Sequence, residues 1–137
     1  MTVAYLALGS NLGDRADNLE AAARSLARHD VRILRASSVR ETEPFGVSDQ
    51  PRFLNQVLEV EWAGSPQGLL RATKAVEAEV GRTPSFRWGP REIDVDILLF
   101  GEEQVATAEL TIPHPGLWER DFVLQPLGEL RPDILKE

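Results

Sequence analysis

The sequence predicts an α+β fold of the ferredoxin-like type, a β-α-β-β-α-β sandwich whose antiparallel sheet carries two helices on one face, followed by a C-terminal appendage. Two segments have the apolar spacing of amphipathic helices, and four others have the alternation or the short apolar runs of strands. They follow one another in the order strand, helix, strand, strand, helix, strand. Because this architecture hosts many activities, the fold alone predicts no function.

The first half of the chain provides the first two strands and the first helix. Residues 3–10 (VAYLALGS) form a short apolar run, and residues 15–29 place apolar side chains at helical spacing after a turn at Asp14. Residues 31–40 are rich enough in β-forming residues to predict the second strand. Residues 42–52 (TEPFGVSDQPR) contain two prolines and a glycine, which predicts a long and therefore often functional loop.

The second half repeats the pattern. Residues 53–62 alternate as a third strand, and a helix is expected from Pro66 to about Val80, between a Ser65 cap and Gly81. A loop then leads into a fourth strand at residues 93–100. The proline-marked remainder is the appendage.

Composition limits the classes of protein that this chain can be. A length of 137 residues suits one domain, residues 1–137, and a net charge of −7 argues against broad binding to nucleic acid or membrane surfaces. The absence of cysteine excludes disulfides and thiolate metal sites. The apolar start lacks a basic region, and no run approaches the roughly 20 apolar residues of a membrane span, so we expect a cytoplasmic protein.

Two aspartates in the fourth strand are the first candidate for chemistry. Asp94 and Asp96 share one strand face, with Cα atoms roughly 6.6 Å apart, and they alternate with Ile93, Val95 and Ile97, which we expect to face the core. A solvated strand face explains them as well as a site does. However, two like charges on one face repel each other and aspartate is unfavourable in strands, so a merely solvated face would not favour this pair. Paired carboxylates suit hard cations such as Mg²⁺.

Other segments could bind a charged or flat ligand. The loop at residues 82–91 carries three arginines and no acid, which suits phosphate oxygens, although these arginines could simply balance an acidic protein. GSNLGD (9–14) could meet an anion at a helix start or be only a tight turn. Phe53 and Asn55 share a strand face and could bind a flat heterocycle. Alternatively, Phe53 is a core residue and Asn55 only fixes a loop. His114 and His29 are lone histidines that need no function beyond structure.

Several stretches together resemble the 6-hydroxymethyl-7,8-dihydropterin pyrophosphokinase family of folate biosynthesis, in collinear order over nearly the whole chain. These stretches are GSNLGD (9–14), TEPFG (42–46), QPRFLN (50–55), RWGPREIDVDIL (87–98), IPHP (112–115) and RDFVLQPL (120–127). The resemblance implies transfer of the β,γ-pyrophosphoryl group of ATP to the hydroxymethyl oxygen of the pterin, with release of AMP. It also implies a loop around Trp88 that closes over both substrates.

The resemblance further implies roles for individual residues. Two Mg²⁺ ions would be held by Asp94 and Asp96, and the catalytic residues would be Arg82, Arg91 and Asp96. The ATP contacts would be Arg82, Trp88, Arg91, Ile97, His114, Arg120, Leu70, Lys74, Glu77 and Thr111. The pterin contacts would be Thr42, Pro44, Phe45, Phe53, Asn55, Phe122, Gly9 and Asn11.

Two alternatives remain at this point. One is a different Mg²⁺-dependent nucleotide transferase on the same fold, which would not need the aromatic and amide side chains at Phe53, Asn55 and Phe122. The other is a non-enzymatic ferredoxin-like binding module, which would have no use for carboxylates beside an arginine loop. We expect a monomer that takes ATP and the pterin as partners and binds neither nucleic acid nor membrane.

Overall fold

The structure, a computed structural model, describes residues 1–42, 52–81, 92–117 and 121–135, with the backbone alone described at residues 121, 122 and 135. Its helices and strands follow the predicted order and continue into the C-terminal segment. Their bounds are β1 Thr2–Ser10, α1 Arg15–Arg28, β2 Arg32–Ala36, β3 Arg40–Thr42, β4 Phe53–Trp62, α2 Pro66–Val80, β5 Asp94–Phe100, β6 Val105–Ala106, β7 Thr111–Ile112 and α3 Asp121–Leu130. A short 3₁₀ helix, Pro132–Leu135, follows α3.

The main sheet is antiparallel and runs in the order β2-β4-β1-β5, with β3 also paired to β4. The predicted ferredoxin-like α+β fold is therefore confirmed. The strand predicted at residues 31–40 is instead two strands, β2 and β3. Ser37 lies between them and takes over the pairing with Val57, because its N–H donates to the Val57 carbonyl and its hydroxyl accepts from the Val57 N–H, both at 2.8 Å.

Both predicted helices begin at side-chain caps. The Asp14 carboxylate accepts from the N–H of Asp17 at 3.1 Å, and the Ser65 hydroxyl accepts from the N–H of Gly68 at 3.0 Å. The apolar sides of α1 and α2 pack on one face of the sheet. The buried core there includes Leu6, Leu8, Leu19, Leu26, Leu58, Leu69, Val76, Val95 and Ile97.

The C-terminal appendage is itself helical, and it packs on the opposite face of the sheet. α3 and the segment before it form a second buried cluster with Tyr5, Val57 and Leu98 of the sheet. Two contacts join α3 to the β2–β3 edge: the Glu129 carboxylate accepts from Arg40 at 2.6 Å, and Arg35 donates to the Leu130 carbonyl at 2.9 Å. The sequence pattern did not predict this helix, because Pro126 interrupts it.

Within the described part of the chain, no helix is both long enough and apolar enough to cross a membrane.

Candidate active site

The strand register brings three candidate site positions into one row on the face of the sheet that α3 also uses. Gly9 of β1 pairs with Asn55 of β4 on one side and with Asp94 of β5 on the other. In the next row Ala7 pairs with Val57 and Asp96. Segments that are distant in the sequence therefore meet across three adjacent strands. The predicted pterin contacts at Gly9 and Asn55 lie beside the two aspartates.

The two aspartates alternate with core residues, as predicted. Ile93, Val95 and Ile97 are each at most 4% exposed, whereas Asp94 is half-buried and Asp96 is exposed. The carboxylates consequently point away from the core under α1 and α2. On the opposite face their oxygens, which are suitable ligands for a hard divalent cation, are accessible to substrate. Among the described residues, no group of three or more His, Cys, Asp and Glu side chains could hold a metal.

Gly9 makes room for the aromatic and amide side chains beside it. A Cβ atom there would lie 3.3 Å from Oδ1 of Asn55 and 3.4 Å from Cδ1 of Phe53. Asn55 is buried, and its Nδ2 donates a hydrogen bond to Oγ1 of Thr42. Asn11, just beyond the end of β1, is buried too. Four predicted pterin contacts, Gly9, Thr42, Phe53 and Asn55, thus form one continuous surface.

A cleft of about 240 Å³ lies next to Asp96 and receives most of the predicted nucleotide contacts in the described regions. Its lining includes Asp96, Ile97, Leu70, Lys74, Thr111 and His114. Lys74 supplies positive charge to the cleft, and Leu70 and Ile97 supply apolar walls. Glu109 and Leu110 also line the cleft, and no sequence motif predicted them. They belong to the turn between β6 and β7, two strands too short for a periodic signal.

Glu77 connects the cleft to the aspartate-bearing strand. One oxygen of its carboxylate accepts from the N–H of Val95 at 2.8 Å, and the other accepts from Nζ of Lys74 at 3.3 Å. Burial raises the pKa of Glu77, and the negative charge of Asp96 raises it further, against the lowering effect of the two hydrogen bonds. Glu77 does not line the cleft but fixes α2 and β5 around it.

The ring of His114 has a defined orientation. Its Nδ1 accepts a hydrogen bond from the N–H of Gly116 at 3.0 Å, and the backbone N–H of His114 donates to the Leu98 carbonyl at 3.0 Å. The neutral ring therefore carries its proton on Nε2. Because His114 lines the cleft, that proton is a hydrogen-bond donor suited to a nucleotide oxygen or nitrogen.

Some predicted site residues lie outside the described residues. They are Pro44, Phe45, Arg82, Trp88, Arg91 and Arg120. Phe122 is described by its backbone alone, in the first turn of α3. The roles expected for these residues stay predictions.

Comparison with known proteins tests the resemblance. The model of the 7,8-dihydro-6-hydroxymethylpterin-pyrophosphokinase family matches residues 5–132. The chain is 46% identical to the 2-amino-4-hydroxy-6-hydroxymethyldihydropteridine pyrophosphokinase of Bacillus subtilis, over 98% of this chain and 81% of that protein. It is 44% identical to the Aquifex aeolicus protein of the same name, over 98% and 84%.

A solved structure shares the fold. The Plasmodium falciparum HPPK-DHPS crystal structure superposes with a TM-score of 0.70 at 16% identity, covering 97% of this chain and 40% of that longer one. The resemblance drawn from the sequence motifs is confirmed, and the chain belongs to the 7,8-dihydro-6-hydroxymethylpterin-pyrophosphokinase family.

Proposed function

We propose that this chain transfers the β,γ-pyrophosphoryl group of ATP to 6-hydroxymethyl-7,8-dihydropterin in folate biosynthesis. The hydroxymethyl oxygen attacks the β-phosphorus, the bond from that phosphorus to the α,β-bridging oxygen breaks, and AMP leaves. The observation that carries the proposal is the Asn55–Gly9–Asp94 row. It puts a surface for a flat heterocycle next to a carboxylate pair, and that pair adjoins the cleft.

The acceptor would bind on the surface of Gly9, Thr42, Phe53 and Asn55. The ring of Phe53 offers a stacking surface, and the Asn55 amide offers a donor and an acceptor for the edge of a pterin. The hydrogen bond from Asn55 to Thr42 orients that amide before any ligand arrives. Such preorganisation reduces the entropy lost on binding.

The nucleotide would occupy the cleft, with its phosphates toward Asp94 and Asp96. These two residues would hold Mg²⁺, two ions in our proposal, because their carboxylates are hard oxygen ligands on a common face. When bound, Mg²⁺ supplies charge neutralisation for the phosphates during transfer. Lys74 and His114 would contact the nucleotide from the cleft walls.

The remaining tasks are charge stabilisation and proton removal. Arg82, Arg91 and Arg120 are expected to contact the phosphates, because guanidinium groups match phosphate oxygens in bidentate geometry. Asp96 would accept the proton that the hydroxymethyl group loses, since it is exposed and lies beside the row that holds the acceptor. A monomeric state and a cytoplasmic location stay predictions.

The test is a product assay. Purified protein is incubated with ATP, Mg²⁺ and 6-hydroxymethyl-7,8-dihydropterin, and AMP, ADP and the pterin diphosphate are quantified by chromatography. We expect AMP and the pterin diphosphate in equal amounts, both dependent on the pterin. Formation of ADP, or AMP formation that does not depend on the pterin, would contradict the proposal.

A further inference from the structure

An arginine at the start of α1 ties together the two strands that carry the acceptor surface. One nitrogen of the Arg15 guanidinium, Nη1, lies 2.8 Å from Oε2 of Glu41 and 2.7 Å from the carbonyl oxygen of Arg52. The Arg52 guanidinium also lies 3.8 Å from Oε1 of Glu41. We call Arg15, Glu41 and Arg52 the hairpin clasp.

The hairpin clasp lies one residue from the acceptor surface on both strands. Glu41 immediately precedes Thr42, Arg52 immediately precedes Phe53, and Thr42 pairs with Phe53 in the β3–β4 ladder. The distance between these two strands at the end next to their connecting loop therefore depends on the clasp. That same distance determines how Thr42 meets Asn55 and how Phe53 lies over Gly9.

The clasp acts from the opposite face of the sheet. Arg40 contacts Glu129 of α3 and Thr42 contacts Asn55, both on the site face. Because side chains alternate along a strand, Glu41 faces the side that carries α1. Arg15 is the first residue of α1 and reaches Glu41 from that side. The clasp can thus hold the hairpin without occupying the space where a ligand would bind.

Helix chemistry does not explain an arginine at this position. A positive charge at the N-terminus of a helix is opposed by the helix dipole, which favours acids there. The Arg15 and Glu41 side chains are 30% and 44% exposed, so solvent screens their attraction and the pair adds little to the stability of the fold. The main effect of the clasp is therefore on the local geometry of the β3–β4 hairpin.

We infer that Arg15 is a positioning residue for the pterin: through Glu41 and the Arg52 carbonyl it sets the spacing of the β3–β4 hairpin that presents Thr42, Phe53 and Asn55. The inference rests on the proposed function. It assigns Arg15 a role in recognition of the acceptor and none in recognition of ATP, because the nucleotide cleft is built from α2, β5 and the β6–β7 turn.

The experiment compares three variants with the wild-type protein. Arg15→Met removes both contacts and keeps the apolar stem, whereas Arg15→Lys keeps a single donor nitrogen that can serve both acceptors. Arg32→Met is the matched control, since it removes another exposed ion pair, Arg32–Glu61, from the far end of β4. The Michaelis constants for pterin and for ATP, kcat and the melting temperature are measured for each protein.

We expect Arg15→Met to raise the Michaelis constant for the pterin about tenfold while leaving that for ATP and the melting temperature unchanged. Arg15→Lys should recover part of the loss, and Arg32→Met should match the wild type. An unchanged pterin constant, or equal changes for both substrates together with a lower melting temperature, would overturn the inference.

The two proposals fail in different ways. A wild-type protein that makes no AMP and binds no pterin in a calorimetric titration would overturn the proposed function and this inference with it. A wild-type protein that makes AMP, with an Arg15→Met variant of equal pterin affinity, would overturn the inference alone.

Discussion

Glu77 accepts a hydrogen bond at 2.8 Å from the N–H of Val95, the residue between Asp94 and Asp96. A partly buried carboxylate from α2 is thereby attached to the back of the strand that carries the proposed metal ligands. Burial is the main reason that the pKa of Glu77 is raised, and Asp96 adds to the effect. The contact holds α2 against β5, and the cleft proposed for the nucleotide opens beside it.

The raised pKa predicts a pH-dependent effect of Glu77→Gln. The folded protein holds the Glu77 proton more tightly than the unfolded chain, so this group stabilises the fold below its ordinary pKa of 4.5, and the stabilisation is lost as pH rises through the folded value. Glutamine keeps the acceptor for Val95 but has no charge. The melting temperature of Glu77→Gln minus that of wild type should therefore be larger at about pH 7 than at about pH 4. An equal difference at both pH values would show that burial does not act on this carboxyl group.

Gly9→Ala should weaken pterin binding more than it weakens the fold. The new Cβ would stand 3.3 Å from Asn55 and 3.4 Å from Phe53, so one of these side chains must move. We expect a stability cost of about 1 kcal/mol and a several-fold rise in the Michaelis constant for pterin, with the constant for ATP unchanged. Gly68→Ala, in the first turn of α2 with contacts no closer than 3.4 Å, is the control and should leave the kinetics alone. Equal kinetics for Gly9→Ala and Gly68→Ala would argue against a pterin surface here.

Asp94→Asn and Asp96→Asn should each lower turnover by several orders of magnitude, because an amide is a poor ligand for Mg²⁺ and the phosphate charge would go unneutralised. The fold should survive, since neither side chain belongs to the buried core. Turnover is measured as a function of Mg²⁺ concentration, alongside circular dichroism. Glu103→Gln, an exposed position in the turn after β5, serves as the control. Near-normal turnover in either aspartate variant would place the metal elsewhere.

Glu129 should make the docking of α3 sensitive to acid. Hydrogen bonds from the Ser38 hydroxyl and N–H, and from Arg40, lower the pKa of Glu129 to about 2. Because the folded pKa lies below the ordinary value of 4.5, this stabilisation is present above pH 4.5 and is lost as pH falls from there to about 2. Glu129→Gln should cost about 1 kcal/mol at neutral pH, after allowance for solvent screening.

The measurement is the free energy of unfolding of Glu129→Gln and wild type across that pH range. The two curves should converge as the pH falls to about 2 and below, because the wild-type carboxylate then gains its proton and becomes uncharged, like glutamine. Glu20→Gln removes an exposed ion pair with Arg24 at 3.9 Å and is the control for the loss of one surface charge. A constant gap between Glu129→Gln and wild type would mean that the charge of Glu129 does not hold α3.

Much of the fold could be predicted because its signals are local. The first residues of α1 and α2 follow from Asp14, Ser65 and Pro66, which cap or begin a helix through contacts within a few residues. The alternation around Asp94 and Asp96 predicted which side chains are buried. The division of β2 from β3 could not be seen, since it depends on the hydrogen bonds of Ser37 with Val57, 20 residues away.

The residue types of the site could be predicted from local pattern: two carboxylates on one strand face, and an aromatic and an amide on one face of another strand. The family could be identified from these motifs and their order. Three relationships became visible in the folded chain alone: Asn55, Gly9 and Asp94 form a row, α3 shares their face, and Arg15 contacts the hairpin from the opposite face. These relationships depend on strand register and on packing between segments far apart in the chain, whereas a periodic pattern reports only which face of its own segment is buried.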